Sequence, residues 1–135
     1  MPVSTDTLHI AGVLLLSIVA VEYGGTYMLR LVRGTIPATD LQLRFSRAGH
    51  AHAGVLVILT LVALPYVDAT NLGGFWLFVA RNGIWISAIL MPLGFFLAVA
   101  GRDVQQPNRL LSLVYVGAAF LAAAVVTLGV GLLTV

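Results

Sequence analysis

The sequence contains no cysteine, no lysine and few charged residues of any kind. Of its 135 residues, 9% are charged and 60% are hydrophobic, and the mean hydropathy is +1.04. The absence of cysteine excludes disulfides, thiolate metal sites, iron–sulfur clusters and cysteine nucleophiles. A chain with so few polar residues cannot cover itself with polar surface, which excludes a soluble monomer.

Signatures of common soluble enzymes and of nucleic-acid-binding proteins are also absent. The sequence has no Gly-rich phosphate loop, no His-Glu-x-x-His motif and no Gly-x-Ser-x-Gly motif. Its arginines form no basic patch interleaved with aromatic residues, so the formal net charge of +2 does not indicate a nucleic-acid partner. The basic balance instead reports on membrane topology.

Four apolar segments are each long enough to cross a bilayer as a helix, which takes about 20 residues. They cover about residues 8–32, 48–67, 75–100 and 110–135. Short connections that contain turn-forming Gly, Pro and Asn residues join them, and no room is left for an extramembrane domain. We therefore predict an all-α fold, with residues 1–135 forming a single integral-membrane four-helix bundle.

The arginines indicate how this bundle is oriented. Six of the seven flank the first and third connections: Arg30, Arg33, Arg44, Arg47, Arg102 and Arg109. By the positive-inside rule, these connections are cytoplasmic and both termini lie on the non-cytoplasmic side. The residues before the first span contain Asp6 and no Arg, unlike a signal peptide, so we expect the first helix to be retained. We predict a multi-pass protein of the bacterial inner membrane, surrounded by lipid.

Counting along the spans places side chains of all four helices in one layer of the membrane. At 1.5 Å of rise per residue, Glu22 lies near the midplane. Five other side chains fall in the cytoplasmic half, roughly 5 to 12 Å from the centre: Tyr27, His50, His52, Met91 and Tyr115. Polar side chains inside a bilayer are costly, which makes each of them a candidate functional residue.

Glu22 is the only acid inside a predicted span. If it is ionised it requires a partner, for which the depth count offers His50 or His52, with Arg81 as a longer reach. It would then orient a ligand histidine or move protons. The alternative is a protonated Glu22 that forms a structural hydrogen bond. Arg81 itself can simply extend to the headgroups.

Two histidines open the second span, within residues 47–54 (RAGHAHAG). Residues two apart on a helix point about 200° from each other, so His50 and His52 are not expected to chelate one metal ion. One of them can be an axial haem ligand, and the small residues around them, including Gly54, leave a surface for a flat macrocycle. The simpler interpretations are an interhelical hydrogen bond for the histidines and close helix packing for the small residues.

The order of these features resembles that of the styrene oxide isomerase family of small membrane haem proteins. The resemblance rests on residues 27–37, 47–54, 63–65 and 82–85. It implies haem b, ferric iron acting as a Lewis acid on an epoxide oxygen, and assembly as a trimer.

In that family an Arg-Ala-His-x-Gly stretch supplies the haem ligand. Here the Ala-His-x-Gly half matches His52, whereas the Arg-Ala half stands closer to His50, so either histidine can be the ligand. The sequence also departs from the family twice. The third helix has Asn82 in place of an Asp and contains no Tyr, and residues 55–59 lack the Asn that follows the ligand histidine. The resemblance therefore supports a haem scaffold more than it supports epoxide isomerisation.

The leading hypothesis is a homo-oligomeric membrane protein that binds haem b, with iron bound by His50 or His52, and acts on a small apolar substrate entering from the lipid. Glu22 and Tyr115 are the candidate catalytic residues. The remaining candidates for the cofactor pocket are Gly54, Tyr27, Met91 and Asn82.

Three alternatives remain open at this stage. The protein can be a haem electron-transfer subunit in which both histidines bind iron. It can be a cofactor-free accessory subunit that docks through the small residues of its fourth helix, which pair as Ala118 with Ala122 and Ala119 with Ala123. It can also pass metal ions or protons along Glu22, His50 and His52.

Overall fold

The computed structural model describes residues 3–135, which form four long helices. α1 spans Thr5–Val32, α2 spans Asp40–Asp68, α3 spans Gly74–Ala98 and α4 spans Ser112–Leu133, with a 3₁₀ turn at Arg109–Leu111 before α4. All four helices are long and apolar enough to cross a membrane, and residues 3–135 contain no β-strand. The predicted all-α bundle of four spans is confirmed.

The largest difference from the predicted boundaries lies at the start of α2. The helix begins at Asp40, eight residues before the predicted start. Thr39 and Gln42 form a capping box: the Thr39 hydroxyl accepts from the Gln42 backbone N–H at 3.2 Å, and the Gln42 side chain accepts from the Thr39 N–H at 3.0 Å. Hydropathy marks the apolar part of a helix, whereas this cap starts the helix two polar turns earlier.

These first turns of α2 tie two connections together. The Gln42 side-chain amide donates to the carbonyl oxygens of Val99 at 3.1 Å and Gly101 at 2.9 Å. The Thr39 hydroxyl donates to the carbonyl oxygen of Val104 at 2.7 Å. Residues 33–39 and 99–108 thus form one end of the bundle, which we call the arginine end. The opposite end, formed by Ser4, residues 68–73 and the last turn of α4, is the Asp68 end.

The four helices pack in chain order, α1 on α2, α2 on α3 and α3 on α4. The closest approach is between α3 and α4, where glycines leave no room for a side chain. A Cβ on Gly83 would come 2.7 Å from the Cβ of Ala124, and one on Gly117 would come 2.6 Å from the Met91 side chain. α1 is peripheral and buries only four residues: Thr7, Leu14, Met28 and Leu31.

We expect Gly83→Ala to lower the stability of the bundle. Its new methyl would also lie 2.9 Å from the Phe120 carbonyl oxygen, which the backbone cannot easily move, and overpacking of this kind costs about 1 to 3 kcal/mol. Gly12→Ala is the matched control, because a Cβ there meets nothing within 4 Å. Thermal unfolding in detergent, followed by circular dichroism, compares the two. Equal stability of both variants would contradict the close α3–α4 packing.

Candidate functional site

His52 lies on α2 with its ring half-buried against Phe95 of α3, at a centroid distance of 4.9 Å. Its Nδ1 is 2.7 Å from the carbonyl oxygen of Ala48, one turn earlier on the same helix. A carbonyl only accepts hydrogen bonds, so Nδ1 carries the proton of the neutral ring and Nε2 keeps its lone pair. No hydrogen bond among residues 3–135 engages Nε2. A backbone carbonyl bonded to the other ring nitrogen is the usual arrangement of a metal-binding histidine.

Aromatic side chains form the wall on which His52 rests. Phe45 meets the edge of Phe95 at a centroid distance of 5.9 Å. Gly49 lets these rings approach α2, because a Cβ there would come 3.0 Å from the ring of Phe96 and 3.1 Å from the Cβ of Phe95. Close packing, the simpler of the two interpretations, therefore accounts for Gly49. Gly54 differs, since a Cβ there meets nothing within 4 Å and its surface is open.

His50 faces α1 instead of α3. Its ring packs over Gly24 and Gly25, with Nδ1 3.6 Å and Nε2 3.7 Å from the positions that Cβ atoms would take on these glycines. The two histidines thus point to different neighbours, as their spacing predicts. Within the part of the chain that the structure describes, no three His, Asp or Glu side chains come together as a metal-binding cluster.

Glu22 is exposed on α1. Among residues 3–135 it forms no ion pair with either histidine or with Arg81. It lies three residues, about one turn, from Gly25, which packs against His50, and its own side chain is exposed. The single chain supplies none of its predicted partners.

Arg81 is held by two carboxylates at the Asp68 end. Its Nη1 donates to Asp6 at 2.9 Å and its Nη2 donates to Asp68 at 3.0 Å. Asp68 also accepts from the backbone N–H of Ser4 at 2.8 Å and from the Ser4 hydroxyl at 2.9 Å. The side chains of Arg81 and Asp68 are 15% and 7% exposed. This network joins α1, α2 and α3. Arg81 is therefore paired within the chain and does not extend freely to the headgroups, as the sequence allowed.

Asn82 lies far from the histidines. Its amide donates to the Phe78 carbonyl oxygen at 2.9 Å, and its side-chain oxygen accepts from Trp85 Nε1 at 3.0 Å. It lines a cavity of about 360 Å³ at the Asp68 end, together with Arg81. Asn82 is 13 residues from Phe95, about 20 Å along the axis of α3. It does not share a pocket with His52 in the single chain.

The other predicted pocket residues divide into one buried and two exposed side chains. Met91 is buried between α3 and α4, where its Sδ accepts from the Ser87 hydroxyl at 3.3 Å. Tyr27 is 44% exposed and lines a cavity of about 410 Å³ at the arginine end. Tyr115 is 70% exposed on α4. The structure thus turns these three side chains to different surfaces.

The structure also contains an apolar groove that the sequence did not predict. It lies between α1 and α3, with α2 as its floor. Its volume is about 530 Å³, and its walls are apolar except for His9 and Ser17. The groove reaches Val21 on α1 and Ala53 on α2. Ala53 lies one helical turn from His50 on the same side of α2. The groove therefore leads from the Asp68 end toward the histidine layer.

Comparison of the chain with protein-family models, with curated proteins and with solved structures gives no match.

We expect Arg81→Met to destabilise the bundle by about 3 kcal/mol, because it leaves the Asp68 carboxylate buried without its cation. Asp6→Asn is the matched control. The Asp6 side chain is 72% exposed, so its loss should cost about 1 kcal/mol or less. Denaturant unfolding in detergent measures both. If the two variants lose the same stability, the Arg81–Asp68 pair does not hold the three helices together.

Proposed function

We propose that the protein is a homo-oligomeric haem b protein of the bacterial inner membrane, with His52 as the iron ligand and a small apolar molecule such as an epoxide as substrate. The observation that carries this proposal is the His52 ring, whose Nδ1 is engaged by Ala48 and whose Nε2 is free. His50 is the second choice, because neither of its ring nitrogens has a hydrogen-bond partner to fix the tautomer among the described residues.

The His52 nitrogen is a suitable ligand for haem iron, but enclosing a haem requires more than one chain. Haem iron is commonly held by one neutral histidine, and His52 offers that donor with its second nitrogen already bonded. A flat macrocycle also needs a wall on each face. The single chain offers one wall, because both histidines are only half-buried on its surface. A second copy of the chain supplies the other wall in this proposal, and the family resemblance favours a trimer.

Bound haem b would supply ferric iron, a Lewis acid for the oxygen of the substrate. The protein's own residues have three tasks. The Ala48 carbonyl and Phe95 restrict rotation of the His52 ring. The apolar groove takes the substrate from the lipid and excludes water, since its walls carry almost no polar atoms. Glu22 and Tyr115 are the groups in this layer that can accept and donate a proton.

Two other functions have a specific observation in their favour. The histidines face different neighbours, so His50 and His52 of separate copies can both bind iron, which would favour electron transfer over catalysis. The small side chains of Ala119, Ala122 and Ala123 are exposed on α4 and offer a surface for a larger membrane complex. The second function predicts a colourless protein.

We expect the detergent-purified protein to show a haem absorption band that survives in His50→Ala and disappears in His52→Ala. Spectra of the oxidised and dithionite-reduced forms, from cells supplied with haem, provide the measurement. Cyanide or imidazole should perturb the spectrum of wild type if the sixth position is open. A colourless wild type would contradict the haem proposal, and loss of the band in His50→Ala alone would move the ligand to His50.

A variant that fills the groove tests the substrate. Ala53→Phe places a ring inside the groove, whereas Ala51→Phe places it on the exposed side of α2. We expect Ala53→Phe to raise the KM for an aryl epoxide at least about tenfold, the effect of roughly 1.4 kcal/mol of lost binding. The haem band should stay unchanged in both variants. Equal turnover by the two variants would show that substrate does not use the groove.

A further inference from the structure

Glu22 is an acid placed against lipid without a partner in its own chain. It lies in the middle of α1, its side chain is exposed, and among residues 3–135 it forms no ion pair. Ionisable groups at this depth are costly and are almost always paired. The partner must therefore come from outside the single chain.

Packing contacts between successive helices show which residues of α4 lie at the same depth as Glu22. Gly25 lies beside His50, Gly49 lies beside Phe95, and Gly94 lies beside Val114. The step from residue 50 to 49 on α2 moves toward the arginine end, and the step from 95 to 94 on α3 moves back by the same rise, because the two helices run in opposite directions. Gly25 and Val114 thus share one level. Glu22 is three residues from Gly25 and Tyr115 is one residue from Val114, both toward the Asp68 end, which places them within about 3 Å of the same depth.

Tyr115 is the group on α4 that suits an acid at this depth. Between residues 113 and 126 it is the only α4 side chain with a hydrogen-bond donor, and it is 70% exposed. On the same face of the helix, toward the Asp68 end, lie the exposed small residues Ala119 and Ala122. A neighbouring helix can therefore approach α4 closely beside Tyr115.

The exposed face of α1 is the complement of this surface. Val19 and Leu15 lie three and seven residues from Glu22 on the same face, and they are 65% and 57% exposed. Ala119 and Ala122 lie four and seven residues from Tyr115, in the same direction along the bundle. Large side chains on one helix thus stand at the depths of small side chains on the other. We name these surfaces the Glu22 face and the Tyr115 face.

We infer that the Glu22 face of one copy docks on the Tyr115 face of the next copy, and that the Glu22 carboxyl accepts a hydrogen bond from the hydroxyl of the partner's Tyr115. α1 and α4 do not pack against each other within the described chain, so both faces are free for this contact. Two different surfaces make a head-to-tail contact, the kind that forms a ring when the rotation between copies closes. The inference rests on the homo-oligomer of the proposed function, but it does not depend on haem.

Photo-crosslinking in native membranes tests the contact. A photoreactive benzoylphenylalanine in place of Tyr115 is compared with the same residue in place of Val126, which lies on the same face about 16 Å further along α4. We expect irradiation at position 115 to yield a covalent dimer whose crosslinked peptide contains Glu22. Position 126 should crosslink nearer the start of α1 and not at Glu22.

Other products would overturn the inference. A dimer joined through two α4 peptides would indicate a symmetric contact, and adducts with another protein would indicate a different partner. Lipid adducts alone would show that the Tyr115 face is covered by lipid. Each result is independent of the haem spectrum, so failure of the ring contact and failure of the haem proposal are distinguishable.

A double-mutant cycle measures the hydrogen bond itself. Tyr115→Phe and Glu22→Ala should each weaken self-association in detergent by roughly 3- to 20-fold, the range for interhelical hydrogen bonds in membrane proteins. The double variant should self-associate as strongly as the more weakly associating of the two single variants, because both substitutions remove the same bond. Tyr66→Phe, an exposed tyrosine on α2, should leave association unchanged. Additive losses would contradict a direct bond between Glu22 and the partner's Tyr115.

Discussion

The requirement that polar groups find partners inside the bilayer organises this structure. Most of them do so within the described chain: Thr60 donates to the Leu56 carbonyl oxygen at 2.7 Å, Ser17 donates to that of Leu14 at 2.7 Å, and Arg81 is held by two carboxylates. Among those that do not, Thr7 Oγ1 and Arg81 Nε lie near the Asp68 end, whereas Glu22, His50, Nε2 of His52 and the hydroxyl of Tyr115 lie at neighbouring levels of the bundle. Groups that a bundle leaves unpaired in lipid are where binding and assembly are to be sought.

The packing of the helices is uneven in a way that suits such roles. Glycines bring α3 and α4 into close contact, and α3 also carries Phe95, the support of the His52 ring. α1 is instead tied at its start by Ser4 to Asp68 and, beyond its middle, by the packing of Gly24 and Gly25 against His50. Between these points it stands away from α3, which creates the apolar groove. A tight pair of helices thus positions the candidate ligand, while a peripheral helix leaves the apolar groove open.

Hydropathy predicted the number of spans and the all-α fold, because long apolar runs leave few alternatives. Rise per residue predicted the common depth of the histidines, Met91 and Tyr115. Neither reveals how far each helix is rotated, so the sequence could not tell that Met91 is buried while Tyr115 faces outward. Asn82, a candidate for the cofactor pocket, lies about 20 Å along α3 from Phe95, which packs on His52. The Arg81 network was missed because its partners lie 13 and 75 residues away in sequence.

We propose that the Ala48 carbonyl fixes the tautomer of His52 and so prepares the ring as a ligand before any cofactor binds. Nitrogen-15 NMR of the haem-free protein, with His52 assigned by comparison with His52→Ala, measures the protonation of each ring nitrogen. We expect a protonated Nδ1 and an unprotonated Nε2, with the Nε2 signal shifted or lost when haem is added. A proton on Nε2, or a ring that haem leaves unchanged, would show that His52 is not the ligand.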